Sequence, residues 1–238
     1  QRLLTDVDFI SAANNTILFT VASVSLKLIV GMTIALLLHS RIPFRTIFTG
    51  LMLLPWIVPE VVTAMAWRSI YDPIFGGLNP ILMGLGIIDR PYGWLSEPRL
   101  AMPSVISVNI WKGIPLNIII YLTALQGVNT EYYEAATLDG ASAWQQFWAL
   151  TFPFLLPTIV TTLILGTIWT ANVFFLPFVM TGGGPLDSTL LWSLAIYRTI
   201  FQNLQLSRGA AMSVVVYLVL LVIGLAYYRL LNKTTTDA

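Results

Sequence analysis

Few side chains in this sequence can do covalent chemistry. Cysteine is absent and histidine occurs once, at His39, which excludes a disulfide framework, a thiolate metal site and a cysteine nucleophile and leaves no histidine cluster for a metal. There is no HExxH pattern, no pair of aspartates within an apolar stretch and no plausibly placed Ser/His pair, so a membrane-embedded enzyme is the weakest reading. Gly182-Gly183-Gly184 lacks the Lys-Ser/Thr that completes a phosphate loop and reads as a flexible turn. What remains is three charges in apolar surroundings, Lys27, Glu60 and Lys112, and one acidic, alanine-rich stretch around Glu134 and Gly140.

That stretch has its own local logic. Asn129 or Thr130 can cap a short helix whose first turn carries Glu131, an anion at the positive end of the helix dipole. The helix runs through Glu134-Ala135-Ala136 to about Leu138, Asp139-Gly140 signals a turn, and Ser142 with Gln145 three residues on reads as a capping box opening a second short helix. The small side chains of Ala135, Ala136 and Ala141 allow another surface to approach closely. Glu131, Glu134 and Asp139 give the loop a negative charge that no Lys or Arg relieves between residues 113 and 197. The chemistry is that of a docking element for a partner that is basic at the contact.

The elements that position these residues follow from composition. Hydrophobic residues make up 57% of the 238, charged residues 10%, and mean hydropathy is +0.80. A soluble surface needs more charge than this, so most of the surface faces lipid. A bilayer core takes roughly 20 apolar residues per helix, and five windows qualify, at about 15–38, 47–70, 101–125, 155–180 and 209–231. The fold class expected is a single all-α, polytopic helix bundle over 1–238 with one special loop, 126–154. Pro55, Pro59, Pro115 and Pro177 fall inside the windows, where they mark kinks or unwound turns. His39, closing the first window, reads as an interfacial residue. The net charge of +1 offers no basic patch for nucleic acid. Residues 1–13 are too polar to be a signal peptide or a span, and residue 1 is Gln rather than Met, so the expectation is a chain that begins partway through its gene product. Alternation puts Arg41, Arg45, Arg229 and Lys233 on the face of the special loop and Arg2, Arg68, Arg90, Arg99, Arg198 and Arg208 on the other. The positive-inside rule therefore gives no clear orientation.

Glu134-Ala135-Ala136, three residues, Gly140, nine residues, then Leu150-Thr151-Phe152-Pro153 resembles the EAA loop of ABC importer permeases, which prefer Ile and Leu where Leu150 and Phe152 stand. The likeness extends through Asp139-Gly140-Ala141 to Pro153 and Pro157. Trp111-Lys112 with Pro115, Tyr121 to Gln126 and Thr181 to Pro185 resemble the carbohydrate-uptake branch, so that about residues 15–231 are covered. The resemblance implies a multi-pass permease of a bacterial or archaeal inner membrane, with Glu134 to Gly140 as the coupling helix seated on an ATP-hydrolysing subunit and the loop face cytoplasmic. It implies as partners an ATPase dimer that binds ATP and Mg, a second homologous permease and an extracytoplasmic solute-binding protein. It implies a further span before residue 1, and no catalytic residue, metal or cofactor in the chain itself.

A charge at mid-bilayer costs at least about 2.5–3.5 kcal/mol, so Lys27, Glu60 and Lys112 are expected to face the bundle interior. Glu60 and Lys112 either pair along a polar solute path or serve as structural or companion-facing charges. A sugar-like solute needs aromatic faces and amides, which Asn109, Trp111, Lys112, Asn117, Trp169, Asn172 and Phe174 can supply alongside Glu60. The rival reading is an ion-coupled secondary transporter with Glu60 as its carboxylate, which leaves the 126–154 loop unexplained.

Overall fold

The computed structural model describes residues 7–40 and 45–236. Arg2 and Arg41, which entered the charge comparison, lie outside them, as do the side chains of Arg45 and Lys233. Among the described residues all regular structure is helical. In chain order the helices are α1 (Val7–His39), α2 (Arg45–Ile57), α3 (Glu60–Ile70), α4 (Leu78–Gly84), α5 (Pro98–Gln126), α6 (Thr130–Leu138), α7 (Ala143–Gln146), α8 (Phe152–Ala171), α9 (Phe175–Met180), α10 (Trp192–Tyr197) and α11 (Leu206–Thr236). π-helical turns, Phe147–Thr151 and Arg198–Gln202, follow α7 and α10.

Four segments are long and apolar enough to cross a membrane: Val7–His39, Pro98–Gln126, Ala143–Met180 and Leu206–Arg229. A fifth is reached only if the bent pair Ile47–Ile57 and Glu60–Ile70 is counted as one span. The window at 47–70, expected as one span with kinks or unwound turns at its prolines, is two helices, α2 and α3, bent by 93°. Pro55 lies inside α2, which runs on past it to Ile57; Pro59 lacks the N–H that would reach back to Pro55 O across the break and disfavours helical geometry at Val58. Glu60, expected near mid-span, consequently opens α3. The window at 155–180 is interrupted as well. α8 ends at Ala171, where Asn172 Nδ2 donates to Ile168 O at 2.8 Å, and α9 starts afresh at Phe175. Pro115, by contrast, sits within the unbroken α5.

The core is layered by depth. Phe19 of α1 packs with Met102 and Val105 of α5 and Leu176 of α9 in one cluster, while Met32, Ala35 and Leu38 pack with Ile118, Tyr121 and Leu125 of α5 and Leu155 of α8 in another. Residue numbers rise together along α1 and α5, so the two helices run parallel, and α8 returns antiparallel beside them. A third cluster joins the first turns of α1 and α11 to α10 through Phe9, Trp192, Leu194 and Met212. Ile17, Val21, Leu37, Leu218 and Val222 are more than half exposed, the apolar outer surface that lipid requires. At the end away from α6, Asp72 accepts from the N–H groups of Ile74 (2.9 Å) and Phe75 (2.7 Å). Asn79 ties α4 to the approach of α5, donating to Tyr92 O (3.0 Å) and accepting from Trp94 Nε1 (2.8 Å).

Candidate functional site

Two sites emerge, one in the 126–154 loop and one between the helices. In the loop, Asn129 is the cap: its Oδ1 accepts from Glu131 N at 3.1 Å. α6 then closes on Gly140, whose φ is +80°. Gly140 N donates to Thr137 O (3.1 Å) and Ala141 N to Ala136 O (2.9 Å), the paired bonds of a Schellman motif. Ser142 and Gln145 form the expected capping box. Gln146 Nε2 pins the turn from the far side, donating to Thr137 Oγ1 and Ala141 O, both at 3.1 Å, while Tyr133 OH lies 2.9 Å from Thr151 Oγ1. α6 is thus held at both ends, yet it contains no buried residue.

Glu131, Glu134, Ala135, Asp139 and Gly140 are exposed, and Ala136 and Ala141 are half-buried. Sequence reasoning missed the apolar part of this surface. Leu138 is 90% exposed, Trp144 70% and Tyr132 63%. Leu138 directly before Asp139-Gly140 is the signal that could have found it, because the last helical residue before a Gly turn projects where the backbone reverses. The loop therefore presents exposed large apolar side chains and exposed carboxylates together, on two short capped helices.

The second site is a cleft of about 370 Å³ between α1, α5 and α8, also lined by Trp56 and Glu60 from the α2–α3 break. It brings together Glu60, Asn109, Lys112, Asn117 and Trp169 from the expected path and adds Lys27, Trp56, Thr162 and Thr170. On α5 the lining residues 109, 112, 113, 116, 117 and 120 form one helical stripe, as do 162, 166, 169, 170 and 173 across α8 and its end. Thr162, Gly166 and Thr170 were not among the expected path residues, although their i, i+4, i+8 spacing is the signal that could have found them. Close packing depends on two glycines: a Cβ at Gly113 would lie 2.6 Å from Lys27 Cε, and one at Gly31 would lie 2.7 Å from Asn117 Cβ. Lys27 threads past α5 through the space at Gly113 to donate to Thr170 Oγ1 at 3.3 Å.

Glu60 and Lys112 both face the cleft but form no ion pair within 4.0 Å. Lys112 Nζ instead donates to the carbonyls of Val58 (2.5 Å), Pro55 and Trp56 (both 3.5 Å). Glu60 Oε1 and Asn109 Oδ1 are buried without a hydrogen-bond partner in this chain. Three expected path residues lie elsewhere. Trp111 packs edge-on against Trp67, centroids 5.4 Å apart. Asn172 caps α8 and faces a separate cleft beside α11. Phe174 stacks on Phe178 and contacts Tyr197, at 5.0 and 5.2 Å.

Residues 27–237 match the family of binding-protein-dependent transport system inner membrane components. The chain belongs to that family. The permease is 34% identical to the trehalose/maltose transport system permease protein MalF of Thermococcus litoralis, over 96% of this chain and 76% of that one, and 34% identical to the lactose transport system permease protein LacF of Rhizobium radiobacter, over 94% and 76%. A bacterial alginate ABC transporter, solved in complex with an alginate pentasaccharide-bound periplasmic protein, superposes with a TM-score of 0.88 at 26% identity, covering 98% of this chain and 82% of that one. A methionine ABC transporter shares the fold alone, at 14% identity and a TM-score of 0.65. The permease is accordingly a multi-pass inner-membrane subunit of an ABC importer. In this family ATP hydrolysis is carried by separate ATPase subunits, so the permease is not itself an enzyme. Among its described residues no three His, Cys, Asp or Glu side chains gather as a metal site. The ion-coupled alternative is not favoured by this membership.

Proposed function

We propose that the permease passes a sugar or sugar-like solute through the α1–α5–α8 cleft, in alternating access driven by ATPase subunits seated on the 126–154 loop. The observation that carries the solute class is the cleft lining. The exposed indoles Trp56 and Trp169, 50% and 60% accessible, stand beside Glu60, Asn109, Asn117 and Lys27. Indole faces suit the CH faces of a pyranose ring, and amides, a carboxylate and an ammonium suit its hydroxyls, which both donate and accept. The named sugars of the relatives point the same way. Trp111, Asn172 and Phe174 play no direct part in this path.

In this reading Glu131, Glu134, Ala135, Ala136, Asp139, Gly140 and Ala141 form the ATPase contact, with Leu138, Trp144 and Tyr132 filling an apolar recess in a partner that is basic at its rim. The partners are an ATPase dimer binding ATP and Mg, a solute-binding protein at the opposite face, and a second homologous permease that completes the open side of the cleft. The buried, unpaired Glu60 and Asn109 oxygens support a cleft completed by groups from outside the chain. Closure of the ATPases would move the loop as a rigid body and shift α5 and α8, which it joins.

The test is uptake by the complex reconstituted in vesicles, with its binding protein and ATP, offered trehalose, maltose, lactose and glycerol 3-phosphate beside an amino-acid control. ATP-dependent uptake of at least one of the sugars is expected. Uptake driven by an ion gradient without ATP, or of the amino acid alone, would sink the proposal.

A further inference from the structure

The α2–α3 break has an unusual problem for a chain within a bilayer. A helix that stops there leaves its last carbonyls without N–H donors, and lipid supplies none. Only Val58 N, donating to Leu54 O at 3.4 Å, continues the α2 ladder. Pro59 has no N–H, and beyond it the chain has turned away by 93°. One side chain meets the deficit. An ammonium carries three donors, and Lys112 Nζ directs them at the break: at the last-turn carbonyls of Pro55 and Trp56, both at 3.5 Å, and at Val58 O just past the end of α2, at 2.5 Å. Its positive charge also sits at the negative end of the α2 dipole.

We propose that Lys112 is a positioning residue, the tie by which α5 sets the angle between α2 and α3, rather than a ligand for the solute. The placement gives the tie a mechanical role. α5 runs unbroken from Lys112 to Gln126, about 21 Å at 1.5 Å per residue, and leads directly into the loop that carries α6. A shift of that loop along α5 therefore moves the ammonium, and with it the end of α2. Trp56 and Glu60, which line the cleft, flank the bend that would change. This last step rests on the coupling reading above; the tie itself does not.

The chain contains no cysteine, so spin labels can be placed at Leu51→Cys on α2 and Met65→Cys on α3, both exposed positions. The distance between them is measured by electron–electron resonance in the assembled complex in nanodiscs, with neither nucleotide nor solute present. The unsubstituted chain and Lys112→Arg, which keeps charge and donors, should give the same narrow distribution, while Lys112→Met should broaden it about twofold as the two helices lose their fixed angle. A solute ligand cannot influence a solute-free distance, so an unchanged Lys112→Met distribution would overturn the proposal. If Lys112→Met does not assemble, Pro59→Ala is added to restore a backbone donor at the break. Assembly of that double variant supports the tie, and failure overturns it. A normal result here with Gly140 or Glu134 variants still coupled would leave the tie standing and remove only the coupling reading.

Discussion

Replacing Gly140 with alanine separates two explanations for a glycine at the end of α6. A Cβ there would meet nothing within 4 Å, so space inside the chain is not the constraint. The backbone is: φ is +80°, and an L-residue held in the left-handed region costs about 1–2 kcal/mol. That penalty falls on a nine-residue helix with no buried residue, shorter than the ~12–15 residues at which an isolated helix is even marginal. A loss of 1–2 kcal/mol corresponds to about a 5- to 30-fold fall in the ratio of formed to opened motif. Hydrogen exchange of the Thr137 to Ala141 amides, in the complex and in the permease without ATPase, should quicken by that factor in Gly140→Ala. Gly140→Asn should quicken less, since Asn tolerates this conformation. Transport per ATP should fall in the same order. Unchanged exchange together with lost coupling would refute the conformational explanation and make Gly140 a matter of room for the partner.

Gly113→Ala drives a Cβ to 2.6 Å from Lys27 Cε and should destabilise the permease by about 1–3 kcal/mol; Lys27→Ala in the same chain should recover most of the loss in a thermal-unfolding double-mutant cycle. Trp169→Ala should raise the half-saturating concentration for sugar uptake about tenfold, the equivalent of ~1.4 kcal/mol of stacking. The N–H groups of Phe75 and Ile74 hold the Asp72 carboxyl below its ordinary value of 3.8. A depressed carboxyl contributes order that is present above its unfolded value and lost as pH falls through the folded one, so protection of the Phe75 amide should drop on acidification below that ordinary value. Asp72→Asn should abolish this pH dependence.

Much of the 126–154 loop was legible because its structure is local. The Asn129 cap, the Ser142–Gln145 capping box and the turn at Gly140 involve partners no more than five residues apart, and such signals are written in adjacent residue types. The lipid-facing class was equally plain, because hydropathy is a property of composition. The exposure of Leu138 and Trp144 was not read, since a helix pattern leaves open which side finds a neighbour.

The cleft depended on contacts across the chain. Five of the path residues share it, but Trp111, Asn172 and Phe174 do not, although their types suit a sugar as well as those that do. The same limit applied to Glu60 and Lys112. Opposite charge suggested a pair, yet the break at Pro59 between α2 and α3 left carbonyls that Lys112 reaches across 54 residues, from α5 to Val58. By itself the sequence determined a membrane-spanning helical chain with an acidic, capped loop, because those properties arise from composition and near neighbours. Only the tertiary structure decided what lines the cleft and what holds the break, because both depend on the crossing of α1, α5 and α8 at Gly31 and Gly113 and on a backbone bend whose freed carbonyls no local residue can satisfy.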